Sequence, residues 1–355
     1  MKKIVIKALA FLVIFCALFL IIQNVLTYKA NQNESIDYRY RLLQAAPEGS
    51  VDVVFIGSSP VYAGVTPMVI WEETGITSFN IAISANTAFG SYYDCRFALE
   101  TQHPKAVVID FCGLFQDRKV KDYHSRNTYE STYRKTAAVP SFSLKYELIH
   151  QLLADNPEED PMMWYFPLLR YHTRWTSLTE SDFKDPDYDE WRKGALLQTD
   201  VIENPVDYDA ALFDTAYSPA EVSEYAWGYY QKIIELCREN DVTLVAVTYP
   251  KTTTEELLCQ YAAIQELCKE SGVPFYNFNL PAYWRQLGLD RAADFYDTGH
   301  MNLRGSIKLS TALGELLRQE FDLPDHRGDE AYDSWDADWD AFYANYGEYL
   351  ADFGY

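Results

Sequence analysis

Residues 51–60, VDVVFIGSSP, constrain the fold more than any other stretch of the chain. Val53, Val54, Phe55 and Ile56 form an unbroken run of β-branched and aromatic side chains, the pattern of a strand buried on both faces, and Gly57 ends it. A strand without a polar face needs helices above and below it, and that points to a parallel sheet. Ser58 and Ser59 follow at its carboxyl end, the edge at which open α/β sheets bind ligands. A hydroxyl there is placed to act as a nucleophile.

The rest of the chain repeats the βα theme. Residues 78–83 (SFNIAI), 106–111 (AVVIDF), 243–248 (TLVAVT) and 274–278 read as strands, and 66–73, 88–101, 218–240, 254–271 and 303–321 as helices. Thr66 followed by Pro67 is an N-cap with proline at the first helical position. Ser218-Pro219-Ala220-Glu221 is read as a capping box opening the 218–240 helix. Short strands alternating with helices imply right-handed crossovers. The segment 113–217 breaks this rhythm with clustered aromatics, charges and prolines, so it is expected to be a mostly helical and irregular insertion over the catalytic edge. At 355 residues and 48% hydrophobic content the chain has ample material for one large core.

Residues 1–28 begin with Lys2, Lys3 and Lys7 and then run apolar. Residues 4–26 are long enough to cross a bilayer at about 1.5 Å rise per residue. No A-x-A-type cleavage site follows, which favours an uncleaved signal-anchor over a signal peptide. The preceding lysines place the N-terminus in the cytoplasm and the body outside, at the cell membrane. Residues 29–50 read as a polar lead-in with a short helix.

A net charge of −22 argues against a nucleic-acid partner, since phosphate binding needs a basic footprint. Of the six cysteines, Cys16 lies in the apolar run, and Cys95, Cys112, Cys237, Cys259 and Cys268 show neither metal nor CxxC spacing, so buried thiols are expected rather than a disulfide framework. No Walker loop, G-x-G-x-x-G or zinc spacing occurs, so no cofactor and no metal is expected.

A partner for the serine lies in residues 294–305, DFYDTGHMNLRG. Asp297 and His300 are three apart, close enough for the carboxylate to orient an imidazole that activates a hydroxyl. G-S-S after an early strand and D-x-x-H before the last helix together resemble the SGNH (GDSL-type) hydrolase superfamily. Within it the likeness is to the membrane-anchored extracytoplasmic branch that includes D-alanyl transfer (DltD) and alginate O-acetylation proteins. The resemblance covers roughly 51–111 and 218–321. It implies a three-layer α/β/α sandwich with a flavodoxin-like parallel sheet, Ser59 as nucleophile, Ser58 at the usual aspartate position of G-D-S, His300 as base and then acid, and Asp297 as its orienting carboxylate.

Pro60 fits this arrangement. In an α/β-hydrolase the N–H after the nucleophile helps to form the oxyanion hole, and proline has none. In the SGNH arrangement the nucleophile's own N–H donates. The oxyanion hole is therefore expected from Ser59, with Ser84 or Ala85 N–H and the Asn86 side chain as further donors, although Asp110-Phe111-Cys112-Gly113-Leu114 lacks the family's third-block asparagine.

Arg170, His172, Arg174 and Trp175 form the most concentrated basic and aromatic cluster of an acidic chain. The cluster has two readings: a holder of an anionic polymer, or a surface helix whose arginines pair with nearby acids. Asp117 and Arg118 are further candidates for lining the cleft. The acidic, aromatic tail 329–355 fails as an EF-hand, since counting from Asp336 puts Ala341 and Gly347 at the positions needing glycine and glutamate. It is expected to pack on the domain or a partner.

The expected organisation is thus an anchor (1–28), a lead-in (29–50), an SGNH-like domain (51–328) with its insertion at 113–217, and the tail. The implied activity is ester chemistry through an acyl-serine on a cell-surface polysaccharide or teichoic acid, often beside a membrane-bound O-acyltransferase. The alternative is a non-catalytic subunit that keeps the fold and binds surface polymer or assembles with such an acyltransferase.

Overall fold

The computed structural model describes residues 2–27, 36–115, 126–184 and 189–355. Asp117 and Arg118 lie outside these residues. Five strands form one all-parallel sheet: β1 (Val53–Gly57), β2 (Ser78–Ala82), β3 (Ala106–Ile109), β4 (Thr243–Thr248) and β5 (Phe275–Asn277), in the order β2-β1-β3-β4-β5. This is the flavodoxin-like order, with its topological switch between β1 and β3. In register, Ile56 lies beside Ile81 on one side and Ile109 on the other.

Alternation along the buried strands divides the interior into two cores. Val54, Ile56, Val107 and Ile109 point into one, with α5 (Ala88–Gln102) and α10 (Glu224–Glu239) over them. Val53, Phe55, Val108 and Val245 point into the other, beneath α3 (Ser59–Gly64) and α13 (Leu303–Glu320). Helix α4 (Pro67–Thr74) packs extensively on α13. Three layers result: helices, sheet, helices.

Several elements differ from expectation. The 218–240 helix starts later, as α10, with Ser223 as its cap, because Ala220 N–H donates to Cys259 O and Ser223 N–H to Leu114 O. In a helix continued back to Ser218, Ser223 N–H would turn to Pro219 O, and its bond to Leu114 O takes it out of that ladder. Helix α11 (Glu255–Ser271) starts one residue later than expected, because Thr254 is its cap, its hydroxyl accepting from Leu257 N–H. Helices α3 and α12 (Pro281–Gln286) are short, proline-initiated turns that the sequence pattern does not separate from loops. The tail, expected to pack on the domain or a partner, packs on the domain, and as a helix: α14 (Asp333–Ala351) buries Trp335 against Trp71 of α4, ring centroids 5.6 Å apart.

Helix α1 (Lys2–Leu26) is long and apolar enough to cross a membrane, and α2 (Ile36–Ala45) follows it. The insertion holds α6 (Arg126–Ala138), α7 (Phe142–Asp155), α8 (Pro161–Tyr165), α9 (Pro167–Tyr171) and short 3-10 turns such as His172–Thr176. Its later part lies along the strand ends. Leu196 N–H donates to Tyr62 O, and Leu303 N–H and Ile202 N–H tie to Gln198 O and Phe295 O. Cys95 and Cys237 are buried side by side, their sulfurs 3.9 Å apart.

Candidate active site

Ser59 begins α3 directly after β1, at the switch point of the sheet. Proline at the second helical position fixes φ without removing any helical bond, because the first turn of a helix has no partners for its N–H groups. The preceding Ser58 is extended, φ −102° and ψ −163°. Its amide N–H and its hydroxyl both donate to Asp110 Oδ2, each at 2.9 Å. Gly57 is required by that approach, since a Cβ there would come within 2.4 Å of the Asp110 Cγ.

The loop between α12 and α13 carries the other two groups. Phe295 and Met301 form a bridge that folds it, and the Tyr296 ring stacks on His300 with centroids 5.4 Å apart. Asp297 accepts from Gly299 N–H at 2.7 Å and meets His300 Nδ1 at 2.8 Å. With Nδ1–H directed at the carboxylate, Nε2 is left to accept the Ser59 hydroxyl, 2.6 Å away. Burial pushes the Asp297 carboxyl up, but the bonds from His300 and Gly299 outweigh it and hold the group below its ordinary range. Asp297 stays ionised, and that charge keeps a proton on Nδ1 and stabilises an imidazolium.

The expected oxyanion donors separate into two kinds. The turn after β2 is set beside the β1 end by the Ile83 N–H bond to Gly57 O. The N–H groups of Ser59, Ser84 and Ala85 have no hydrogen-bond partner among the described residues. Ala85 holds φ +52°, the left-handed region that suits glycine and costs other residues about 1 kcal/mol. The Asn86 side chain does not serve as a donor to the cleft. Its amide gives its hydrogens to Gly57 O, Asp94 Oδ2 and Ser91 Oγ at 3.0 to 3.2 Å, and its Oδ1 accepts from Thr87 N–H and Lys135 Nζ. Both hydrogens are committed, so Asn86 braces the turn from behind.

That brace reaches the insertion. Lys135 of α6 is buried and pairs with Asp94, which also accepts from Tyr40 Oη. Burial pushes the lysine ammonium below its ordinary pKa, against the pull of Asp94. Asp110 and Lys135 are thus two groups at the site that sequence reading missed. A carboxylate ending an otherwise apolar strand, VVID, was the available signal for Asp110; Lys135 has none, because its partners are distant in sequence.

The structure gathers Ser59, His300 and Asp297. Arg170, His172, Arg174 and Trp175 have different surroundings. Arg170 lies 4.3 Å over the Tyr133 ring, Arg174 donates to Leu26 O and to Asp182, and His172 Nδ1 meets Leu169 O. This is the exit of α1. A separate cavity of about 30 Å³ lies beside Pro60, bounded by Asp110, Phe115, Tyr249, Lys251 and Tyr261.

No protein-family model matches the chain, and no curated protein matches it significantly. Solved structures with some similarity include a GDSL-like lipase from Bacteroides thetaiotaomicron, 11% identical over 80% of this chain and 98% of that one, TM-score 0.38. A protein of the G-D-S-L family described as lipolytic, from Desulfitobacterium hafniense, is 9% identical over 75% of this chain and 98% of that one, TM-score 0.36. A Bacteroides fragilis protein described as an acylhydrolase is 11% identical over 80% and 96%, TM-score 0.38. Identities and TM-scores this low leave the function to be read from the site geometry itself.

Proposed function

We propose that this chain is a serine esterase or O-acyltransferase of the SGNH type, working through an acyl-enzyme at Ser59. The observation that carries this reading is the hydrogen-bonded row Ser59 Oγ, His300 Nε2, His300 Nδ1, Asp297, at 2.6 and 2.8 Å. As Oγ attacks an ester carbonyl carbon, His300 Nε2 takes the hydroxyl proton. The carbonyl π electrons move to oxygen, and the N–H groups of Ser59 and of Ser84 or Ala85 receive the oxyanion. Collapse breaks the bond to the alcohol, which leaves with the proton from His300. Water or a sugar hydroxyl then repeats the sequence against the acyl-serine, with His300 again as base, and frees Ser59.

In the same reading α1 is a single-pass anchor with its N-terminus in the cytoplasm, and the domain acts outside on a cell-surface polysaccharide or teichoic acid, beside a membrane-bound O-acyltransferase. Support comes from the apolar length of α1, the basic residues before it and the acidic body unsuited to nucleic acid. The third-block sequence Asp110-Phe111, without the asparagine donor, favours a second reading as a non-catalytic subunit of such an assembly.

Fluorophosphonate labelling of the full chain distinguishes the two. Label on the wild type that is lost in Ser59→Ala and strongly reduced in His300→Ala is the expected result. A folded wild type that takes no label leaves the subunit reading in place.

A further inference from the structure

Large exposed apolar side chains, outside α1, concentrate on one short stretch of the insertion. Met162, Met163, Phe166, Leu169 and Trp175 all face outward, and Trp175 is 70% exposed. Their neighbours on the same turns, Trp164 and Tyr171, face inward onto the Tyr133 ring at 5.4 and 5.6 Å. Helices α8 and α9 are therefore apolar on both sides, unlike a helix that faces water. Isolated exposed apolar residues are ordinary, but a contiguous group of methionines and aromatics marks an interaction surface.

What covers this surface follows from where it sits. Phe166 meets Phe19 of α1 edge to face, centroids 6.4 Å apart, and Arg174 Nη1 donates to the carbonyl of Leu26 at the end of α1, 2.9 Å away. Phe19 precedes Leu26 by seven positions, which is about 10 Å along a helix. An apolar stretch of residues 4–26 exceeds a hydrocarbon thickness of about 30 Å by only a few ångströms. If α1 spans the bilayer, Phe166 lies below the headgroups, at the depth of the upper acyl chains.

We propose that α8, α9 and the 172–176 turn form an interfacial platform sunk into the leaflet through which α1 exits, with lipid as its occupant. This rests on the reading of α1 as a membrane span. Met162, Met163, Phe166 and Leu169 contact acyl chains. Trp175 takes the headgroup level, where amphipathic rings favour the boundary. The insertion then holds the domain at a fixed attitude on the membrane, in place of a domain free to swing from its anchor.

The test is photolabelling of the full chain in phosphatidylcholine and phosphatidylglycerol nanodiscs containing a diazirine phospholipid, read by peptide mass spectrometry. Lipid adducts on 161–176 as well as on α1 are expected, with 161–176 labelling reduced several-fold in Phe166→Lys while α1 labelling holds. Adducts on α1 alone overturn the platform and leave the anchor standing. Adducts on neither overturn both. Protein cross-links joining the 161–176 regions of two copies, without lipid adducts there, overturn the platform in favour of a self-association surface.

Discussion

Ser58 and Asp110 are joined by two hydrogen bonds of 2.9 Å, from amide and hydroxyl to the same carboxylate oxygen, across the β1–β3 switch point. The G-D-S motif that this chain resembles carries its acid where Ser58 stands. Here the acid that meets this position, Asp110, comes from the neighbouring strand end. Restoring the motif with Ser58→Asp should therefore harm the protein. It would set two carboxylates against each other in a site where both wild-type residues are about 5% exposed or less. A loss of about 2–4 kcal/mol in urea unfolding is expected, as for an uncompensated buried charge. Adding Asp110→Asn should recover most of it, and a double variant no more stable than Ser58→Asp alone would refute the pairing.

The proposed mechanism makes Ser59, His300 and Asp297 one unit, so their removals should not add. Ser59→Ala and His300→Ala are each expected to lower kcat on an activated ester by about 10⁴-fold or more, and the double variant to be no worse than either. Asp297→Asn should cost less, about 10²–10⁴-fold, because the imidazole keeps its place but loses the charge that fixes its tautomer. Steady-state rates on the four variants, with unfolding midpoints close to wild type, check the claim.

The pH dependence of stability has a defined sign. The Asp297 carboxyl titrates below its ordinary value of 3.8 in the folded chain. A depressed carboxyl contributes stability that is fully present above the unfolded pKa and disappears as pH falls through the folded one. The stability gap between wild type and Asp297→Asn should be constant above about pH 5 and close progressively below about pH 4. Chemical unfolding across that range measures it, and a gap that widens in acid would contradict the assignment.

Much of this was written in local pattern. The strands follow from β-branched runs such as Val53–Ile56, because a strand buried on both faces leaves no alternative for the side chains. The pairing of Ser59 with His300 followed from two short motifs, one directly after β1 and one directly before α13. What stayed hidden was non-local. Helix α10 begins at Ser223 because Cys259 and Leu114 claim the upstream amides, which no local signal reports. The tail concealed a helix whose apolar positions, Trp335, Trp339, Phe342 and Tyr346, recur at helical spacing beneath aspartates of low helix propensity. Asn86 looked like a donor to substrate because its acceptors, Gly57 O on β1 and the Ser91 and Asp94 side chains on α5, converge on it only in the folded chain.

Ala85 tests the oxyanion turn from the backbone side. Its φ of +52° suits glycine, so Ala85→Gly should be neutral or stabilising by up to about 1 kcal/mol, and Ala85→Val destabilising. Thermal unfolding of both variants reads the strain. If valine is tolerated as well as glycine, the turn does not hold this conformation.

The brace behind that turn gives the strongest link between insertion and site. Lys135 donates to Asn86 Oδ1 at 2.7 Å and pairs with Asp94, whose carboxylate is fully buried. Lys135→Met leaves that carboxylate, among the described residues, with Tyr40 and Asn86 as donors, and a loss of about 3–5 kcal/mol is expected, as when one partner of a buried pair is removed. A mainly structural role predicts lower stability with kcat unchanged in the fraction that remains folded. A bracing role predicts more. With Asn86 released, the Ser84 and Ala85 amides lose their fixed aim, and kcat falls while KM for a small ester changes little, because the donors act on the transition state. Combining Lys135→Met with Asp94→Asn separates the two effects: the double variant should regain stability, since the stranded charge is gone, yet keep the kcat defect. Recovery of both together would make Lys135 a structural residue only.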